Sequence, residues 1–476
     1  MTALASSSIA TPIPAALDLG AYARFIEAKS HLSGEFGFRP IFRHPQAFDF
    51  QSHLVDWAIG QGRAAMFADC GLGKTLMQLT WAHNVNRHTN RPVLIVAPLS
   101  VSRQTVGEAE KFGLEAERSL DGTFRDAAGV VTTNYERLDR FDPDAFAGVV
   151  CDESSILKTF DGATKAKVTA FMRKAPYRLL CSATPSPNDY VELGTSSEAL
   201  GHLGHMDMLG MFFRNDEDSL HPAFAGSKWR FKGHAEREFW RWMCSWSKAV
   251  RRPSDLGFDD GRFVLPPLLE HEHVVDSVAR AGELFPVPAR NLGEERAERR
   301  ASLRARCERA ATILAAADSG VGWCHLNDEA DLLTDMLPGA VQVSGADSDE
   351  AKEEAFEAFR LGQVRHLVTK PRIAAFGLNW QHCATLTYFA DHSFEQYYQA
   401  VRRCWRFGQE RPVEAHTITT QALGSMTANM RRKARACDAM FAEMVERMND
   451  ALRVRPFRAN DISNLELPTW LTSISS

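Results

Sequence analysis

The eight residues Ala68-Asp69-Cys70-Gly71-Leu72-Gly73-Lys74-Thr75 limit the possible folds of this chain more than any other segment. A small residue, four free positions and then Gly-Lys-Thr is the spacing of a phosphate-cradling loop. An apolar run, Ala64-Ala65-Met66-Phe67, precedes it and predicts a buried strand. A helical pattern, Leu76-Met77-Gln78-Leu79-Thr80-Trp81-Ala82, follows it. In a strand–loop–helix joint of this kind, glycines let backbone N–H groups wrap phosphates, and the helix N-terminus adds positive dipole. Gly71, Leu72, Gly73, Lys74 and Thr75 then form a nucleotide cradle, with Lys74 neutralising phosphate charge and Thr75 holding Mg²⁺. The plainer alternative is a glycine-rich turn between a strand and a helix.

The surrounding pattern predicts an α/β fold with two parallel-sheet lobes. Strand-like runs at 64–68, 93–97, 129–132, 147–151 and 177–181 alternate with helical patterns, as a helix-covered parallel sheet requires. A second alternating block has runs at 320–325, 340–343, 365–369, 385–389 and 413–417 and carries no second phosphate loop. The expected organisation is an N-terminal extension over 1–35, with a short helix at 18–33, and a first lobe with the glycine loop over 36–200. A helical, aromatic and basic insertion and linker then covers 201–309, a second lobe 310–420, and a helical tail 421–476 with its helix from Met426 through Leu452. The 476 residues suit several domains of about 150 residues each.

Composition excludes some classes of function. Hydrophobic content of 45% and charged content of 24% are those of an ordinary globular chain. A net charge of −5 provides no global basic field, so a nucleic-acid site has to be a local stripe. The nine cysteines are scattered without a C-x-x-C pair, and Cys151 and Cys181 fall in apolar runs, which predicts reduced, buried thiols and a cytoplasmic setting. No apolar run reaches the ~18–20 residues of a membrane span, and the N-terminus lacks the pattern of a signal peptide.

Downstream of the glycine loop, Gly148-Val149-Val150-Cys151 runs into Asp152-Glu153. A strand ending in two acids aims carboxylates at the crevice of an open α/β sheet, so Asp152 is a Mg²⁺ ligand and Glu153 a group that orients water. A helix cap is the plainer use of such a pair, but its place after the glycine loop favours the metal and water roles. Ser182-Ala183-Thr184-Pro185 reads either as a polar strand cap or as a hydroxyl pair, Ser182 and Thr184, that couples the two lobes. In Gln399-Ala400-Val401-Arg402-Arg403-Cys404-Trp405-Arg406-Phe407-Gly408-Gln409, Arg403 and Arg406 lie three apart and are expected to share a helical face, with Gly408 stopping the helix. Two guanidiniums there are positioned to reach phosphate oxygens from the second lobe.

Taken in order, these motifs resemble a superfamily 2 helicase, most closely a Swi/Snf-like DNA translocase, over roughly residues 40–420, which implies that 36–200 is a RecA-like, ATP-binding lobe and 310–420 a second RecA-like lobe. Phe50-Gln51-Ser52-His53-Leu54 resembles the family's glutamine motif, which implies that Gln51 reads adenine. Ala97-Pro98-Leu99-Ser100-Val101 and Thr132-Thr133-Asn134-Tyr135-Glu136 resemble backbone-contacting motifs, which implicates Ser100, Thr133 and Asn134. Asp152 through Lys158 resembles motif II, and Ser182 through Asn188 motif III. Val343-Ser344-Gly345 and Gly377-Leu378-Asn379 resemble second-lobe motifs, which implies nucleic-acid contacts by Ser344, Gly345 and Asn379. Residues 399–409 resemble motif VI, with Arg403 and Arg406 as arginine fingers, and Arg251-Arg252-Pro253 resembles the family's basic linker. Two departures are the serine at the fourth position of motif II and Ala375 in place of a glycine, with Arg372 near that motif's basic position. With no chromatin-reading, nuclease or zinc motif, the chain resembles compact phage and bacterial members.

The resemblance implies an ATP hydrolase with Mg²⁺ that moves on DNA, duplex or single-stranded, in a bacterial cell or phage-infected host, with a replication, recombination or restriction protein as partner. An RNA helicase and a nucleotide-gated assembly factor that does not travel are the alternatives. Residues 228–252 carry Lys228, Arg230, Lys232, Arg237, Arg241, Lys248, Arg251 and Arg252 among Trp229, Phe231, Phe239, Trp240, Trp242 and Trp246. Basic and aromatic side chains together suit nucleic acid, whereas the three- and four-residue spacing of Phe239, Trp242 and Trp246 suits a helix packed into the core. The mixed Arg/Glu run 294–309 is expected to be a solvated helix. His202 and His205 lack companions to complete a metal site.

Overall fold

A computed structural model describes residues 36–125, 129–158, 162–186, 190–215, 229–276, 287–374 and 378–453. The expected N-terminal helix at 18–33, together with Pro187, Asn188, Lys228, Ala375 and Gly377, lies outside these residues.

Two wholly parallel sheets carry the fold. The first contains β1 (Arg63–Ala68), β2 (Val93–Ala97), β3 (Glu117–Arg118), β4 (Val130–Asn134), β5 (Gly148–Asp152) and β6 (Tyr177–Cys181). A hairpin of β7 (Phe213–Asn215) and β8 (Trp229–Phe231) follows, and β9 (Ser247–Val250) then returns to the first sheet, whose order is β3-β4-β2-β5-β6-β1-β9. β2, β4 and β5 are buried along their whole length because helices cover both faces, and this explains why they read as unbroken apolar runs. The second sheet contains β10 (Leu268–Val275), β11 (Gly320–Trp323), β12 (Val341–Val343), β13 (His366–Thr369), β14 (Thr385–Phe389) and β15 (Val413–Thr420), in the order β10-β15-β14-β11-β13-β12.

The stretch between the two alternating blocks adds a strand to each sheet. Ser247 to Val250 pair with Ala65 to Ala68 of β1, and Leu268 to Val275 pair with the full length of β15. β10 sets a Glu-His-Glu-His run between two apolar pairs and keeps much of its surface exposed, so it shows no buried run in the sequence. The helix Ala235–Trp246 turns Phe239, Trp240, Trp242 and Trp246 into the core, in agreement with their helical spacing. The long helix Gly424–Arg453 ends the described chain. It comes after the second lobe but packs back on the first: Met440, Phe441 and Met444 share a core with Trp242 and Trp246. Arg251 lies 4.6 Å over the Phe441 ring and pairs with Asp438 at 2.8 Å.

The run 294–309 does not form a solvated helix. It breaks at Ser302 into the helices Leu292–Ala301 and Leu303–Ala316, and Arg306 is buried at 2% exposure. The break and the buried Glu329 partner provide Arg306 with hydrogen-bond acceptors inside the second lobe. Among the described residues, no helix is long and apolar enough to cross a membrane.

Candidate active site between the lobes

The glycine loop leaves the C-terminal end of β1, where an open parallel sheet presents its crevice. Gly71 and Gly73 take left-handed backbone angles of φ +89° and +77°. A Cβ at Gly73 would lie 2.3 Å from the Gln51 amide nitrogen, and one at Gly71 would lie 2.8 Å from the Phe407 backbone nitrogen, so neither position has room for a side chain. The helix Lys74–Thr89 starts at the loop, with Lys74 Nζ donating to the carbonyls of Ala68 (3.0 Å) and Asp69 (3.4 Å). Gln51 is buried and held at both ends of its amide: Nε2 donates to Leu72 O at 2.8 Å and Oε1 accepts from Phe48 N at 3.0 Å. It therefore braces the loop as well as facing the cleft.

Asp152 ends β5 beside this loop and accepts a 2.6 Å hydrogen bond from Gln78, one helical turn after Lys74. Burial raises the Asp152 carboxyl, against the opposing pull of Lys74 and Gln78. Burial also pushes Glu153 up to about 7, with Lys74 opposing and Asp152 adding to the rise. Glu153 has φ +54°, a left-handed conformation that a non-glycine residue adopts only when its surroundings enforce it. Its Oε2 is buried with no protein partner.

The second lobe closes the other side. Arg403 and Arg406 converge on one acceptor, each donating to Leu378 O at 3.0 Å. They do not share a helical face. The helix Phe394–Cys404 stops at Trp405, at ψ 85°, and not at Gly408, so Arg406 lies beyond the helix in the turn that Gly408, at φ +88°, completes. Burial lowers the Arg403 guanidinium, and burial with the neighbouring Arg403 lowers Arg406 to about 10. Gln51, Gly71, Gly73, Lys74, Thr75, Asp152, Glu153, Arg403 and Arg406 thus line a single cavity of about 530 Å³. Leu72 lies buried beneath it.

The other expected site residues are distributed differently. Asn379 lines this cavity, and its Oδ1 is buried without a partner. Ser182 Oγ accepts from Thr184 N at 3.0 Å, and the Thr184 hydroxyl is buried without a partner. Thr133 and Asn134 are buried, with Asn134 capping the turn Tyr135–Arg140. Ser344 is half-buried and hydrogen-bonded to Asp347, beside the exposed Gly345. Arg251 is engaged with the C-terminal helix, whereas Arg252 is largely exposed beside Asp255. Ser100 lies in the first turn of the helix Leu99–Lys111, and its side chain is outside the described set. His202 stacks on Trp246, and among the described residues no group of His, Cys, Asp or Glu is arranged to hold a metal by itself.

Several cleft residues escaped the sequence reading. Phe48, Phe263 and Phe407 arrive from three separate segments and meet at the cleft mouth, with ring centroids 4.9 Å (Phe48–Phe263) and 4.8 Å (Phe263–Phe407) apart. No local pattern announces a meeting of that kind. Gln78 and the Tyr398–Arg402 pair did carry a signal, since each stands four residues from a partner on the same helix face.

No protein-family model and no curated protein matches the sequence. Solved structures do. The Dbp5 protein of S. cerevisiae, bound to RNA and ADP BeF3, superposes with TM-score 0.51 at 13% identity, over 83% of this chain and 88% of that one. A SWI2/SNF2 ATPase core of Sulfolobus solfataricus in complex with dsDNA matches with TM-score 0.40 at 16% identity, over 80% and 90%. The likeness to the Dbp5 structure shows the fold: two tandem RecA-like lobes, each built on a parallel sheet.

Proposed function

We propose that this chain is a nucleic-acid-stimulated ATP hydrolase that couples turnover to movement on DNA. One observation carries the reading: Lys74, Thr75, Asp152 and Glu153 of the first lobe face Arg403 and Arg406 of the second across one cavity. Lys74 turns from its own loop carbonyls to the β- and γ-phosphates of ATP. Glu153, with a free buried oxygen, orients the attacking water. Arg403 and Arg406 stabilise the charge that develops on the transferred phosphoryl group. The hydroxyl of Thr75 and the carboxylate of Asp152 are hard oxygen donors and suit Mg²⁺, which would neutralise phosphate charge there.

Movement follows if nucleic acid favours the closed lobes and hydrolysis reopens them, a shift set by differential affinity. Ser100, Ser344, Gly345, Asn379, Arg251 and Arg252 are proposed contacts to the strand. RNA stays as a second reading, because Dbp5, the neighbour that carries the fold likeness, was solved on RNA.

ATP hydrolysis with no nucleic acid, then with single-stranded DNA, duplex DNA and RNA, tests the reading. Lys74→Ala should abolish turnover. Arg406→Ala should lower it by roughly 10³-fold or more while ATP binding persists, and near-normal hydrolysis by that variant would remove the finger role. Stimulation that grows with DNA length supports a translocase. Stimulation by RNA alone transfers the reading to RNA, and length-independent turnover favours a stationary switch.

A further inference from the structure

The glycine loop is gripped from the opposite lobe by a side chain that does not line the cavity. Arg402 sits between the lobes at 4% side-chain exposure, with its Nη2 3.1 Å from Asp69 Oδ2. The same guanidinium donates to the Cys70 carbonyl, within the loop itself. Tyr398, one turn earlier on the helix, donates its hydroxyl to Asp69 Oδ1, which also accepts from Cys70 N at 2.6 Å. Cys70 Sγ lies 3.8 Å from Gln399 Oε1, which accepts from Arg403 Nη2 at 2.9 Å. A continuous set of contacts therefore joins the loop to the arginine proposed to act on phosphate. Burial works against the Arg402 charge, and the Asp69 carboxylate restores it, holding the guanidinium above its usual range.

We propose that Arg402, with Tyr398, is a positioning residue: by clasping Asp69 and the Cys70 carbonyl it sets the register between the glycine loop and the helix that presents Arg403 and Arg406. The inference rests on the reading of the cleft as an ATP site. A buried charge pair fixes orientation better than apolar contact, because a small displacement leaves both charges desolvated and unpaired. The clasp acts on turnover through the loop, and Arg402 itself does not touch the nucleotide.

The test uses the full chain with ATP, Mg²⁺ and the nucleic acid that best stimulates the wild type. Arg402→Ala and Asp69→Asn should each lower kcat about tenfold, a coupling of the size found between communicating sites, with KM for ATP held within about twofold. The double variant should be no slower than the worse single one, because the two residues act as a unit. Losses that multiply in the double variant would overturn the clasp, since Arg402 would then reach the nucleotide independently of Asp69. Unchanged turnover in Arg402→Ala would overturn it as well. If Arg402→Ala does not fold, Arg402→Lys and Tyr398→Phe take its place, with thermal unfolding as the control. Small-angle scattering of the nucleotide-free protein separates this idea from the ATPase reading: releasing the clasp should enlarge the radius of gyration. An unaltered value overturns the clasp whether or not the wild type hydrolyses ATP, and a wild type without turnover defeats only the ATPase reading.

Discussion

Among the described residues, one buried arginine–carboxylate pair lies inside the second lobe and another between the lobes, and they are built differently. Arg306 and Glu329 meet at 2.6 Å with side chains 2% and 1% exposed. Arg306 also donates to Ser302 Oγ and to Arg299 O, while Glu329 accepts from the His325 and Leu326 amides at the start of the helix Asn327–Asp335. Each nitrogen of the guanidinium and each oxygen of the carboxylate therefore has a partner. At the seam, Arg402 keeps a buried Nε without a partner, and Asp69 retains 14% exposure. A pair that has only to hold can give every nitrogen and oxygen a partner. A pair that must also part gains from being left incomplete, since each group then reaches water soon after release.

The largest expected effect is on the first pair. Arg306→Ala strands a buried carboxylate and should cost about 3–5 kcal/mol of stability, measured by urea unfolding. An equal loss in Arg402→Ala would erase the distinction between the pairs, because the partly exposed Asp69 can reach water once the seam opens and its cost should stay below that of Arg306→Ala. Acid sharpens the contrast. Burial raises the Glu329 carboxyl, yet Arg306 and the two amides bring it below its ordinary value of 4.5. Its contribution is therefore complete above that value and disappears as pH falls through the lowered one. Glu329→Gln should flatten the decline of stability in that acidic window, and an unchanged slope would mean that Glu329 is not the group being titrated. The smallest effect concerns a seam contact with no charge: Phe263→Ala removes ring contacts worth about 0.5–1.5 kcal/mol and should weaken ATP binding several-fold at most. A loss comparable to that of Lys74→Ala would make the aromatic cluster, rather than the clasp, the main grip between the lobes.

Much of the first lobe was legible because fully buried parallel strands leave unbroken apolar runs, and the glycine loop announces its own joint. β10 was not, because an exposed edge strand that alternates Glu and His resembles a loop. Arg306 was hidden by its charged neighbours, although Leu303, Cys307, Ala310 and Leu314 repeat at three and four and place position 306 beside the buried face. For Arg403 and Arg406 the residues were readable and their geometry was not: the turn that brings them together depends on the Leu378 carbonyl, a distant partner. The seam contacts of Phe263 have the same cause, since tertiary neighbours rather than local spacing decide them.

The connector between β9 and β10 has a mechanical consequence. It leaves the first sheet beside the strand that feeds the glycine loop, and it enters the second as an edge strand. Along the way Phe263 rests on Phe407, and the Trp405 indole donates to Pro266 O at 2.7 Å. A strap sewn at both ends and tacked down in the middle has little slack to take up. If the lobes rotate as the proposed cycle requires, residues 251–267 would bring that rotation to the wall of the cavity, where Arg262 and Phe263 stand, and the same short strap would serve as tether, gauge and drive shaft.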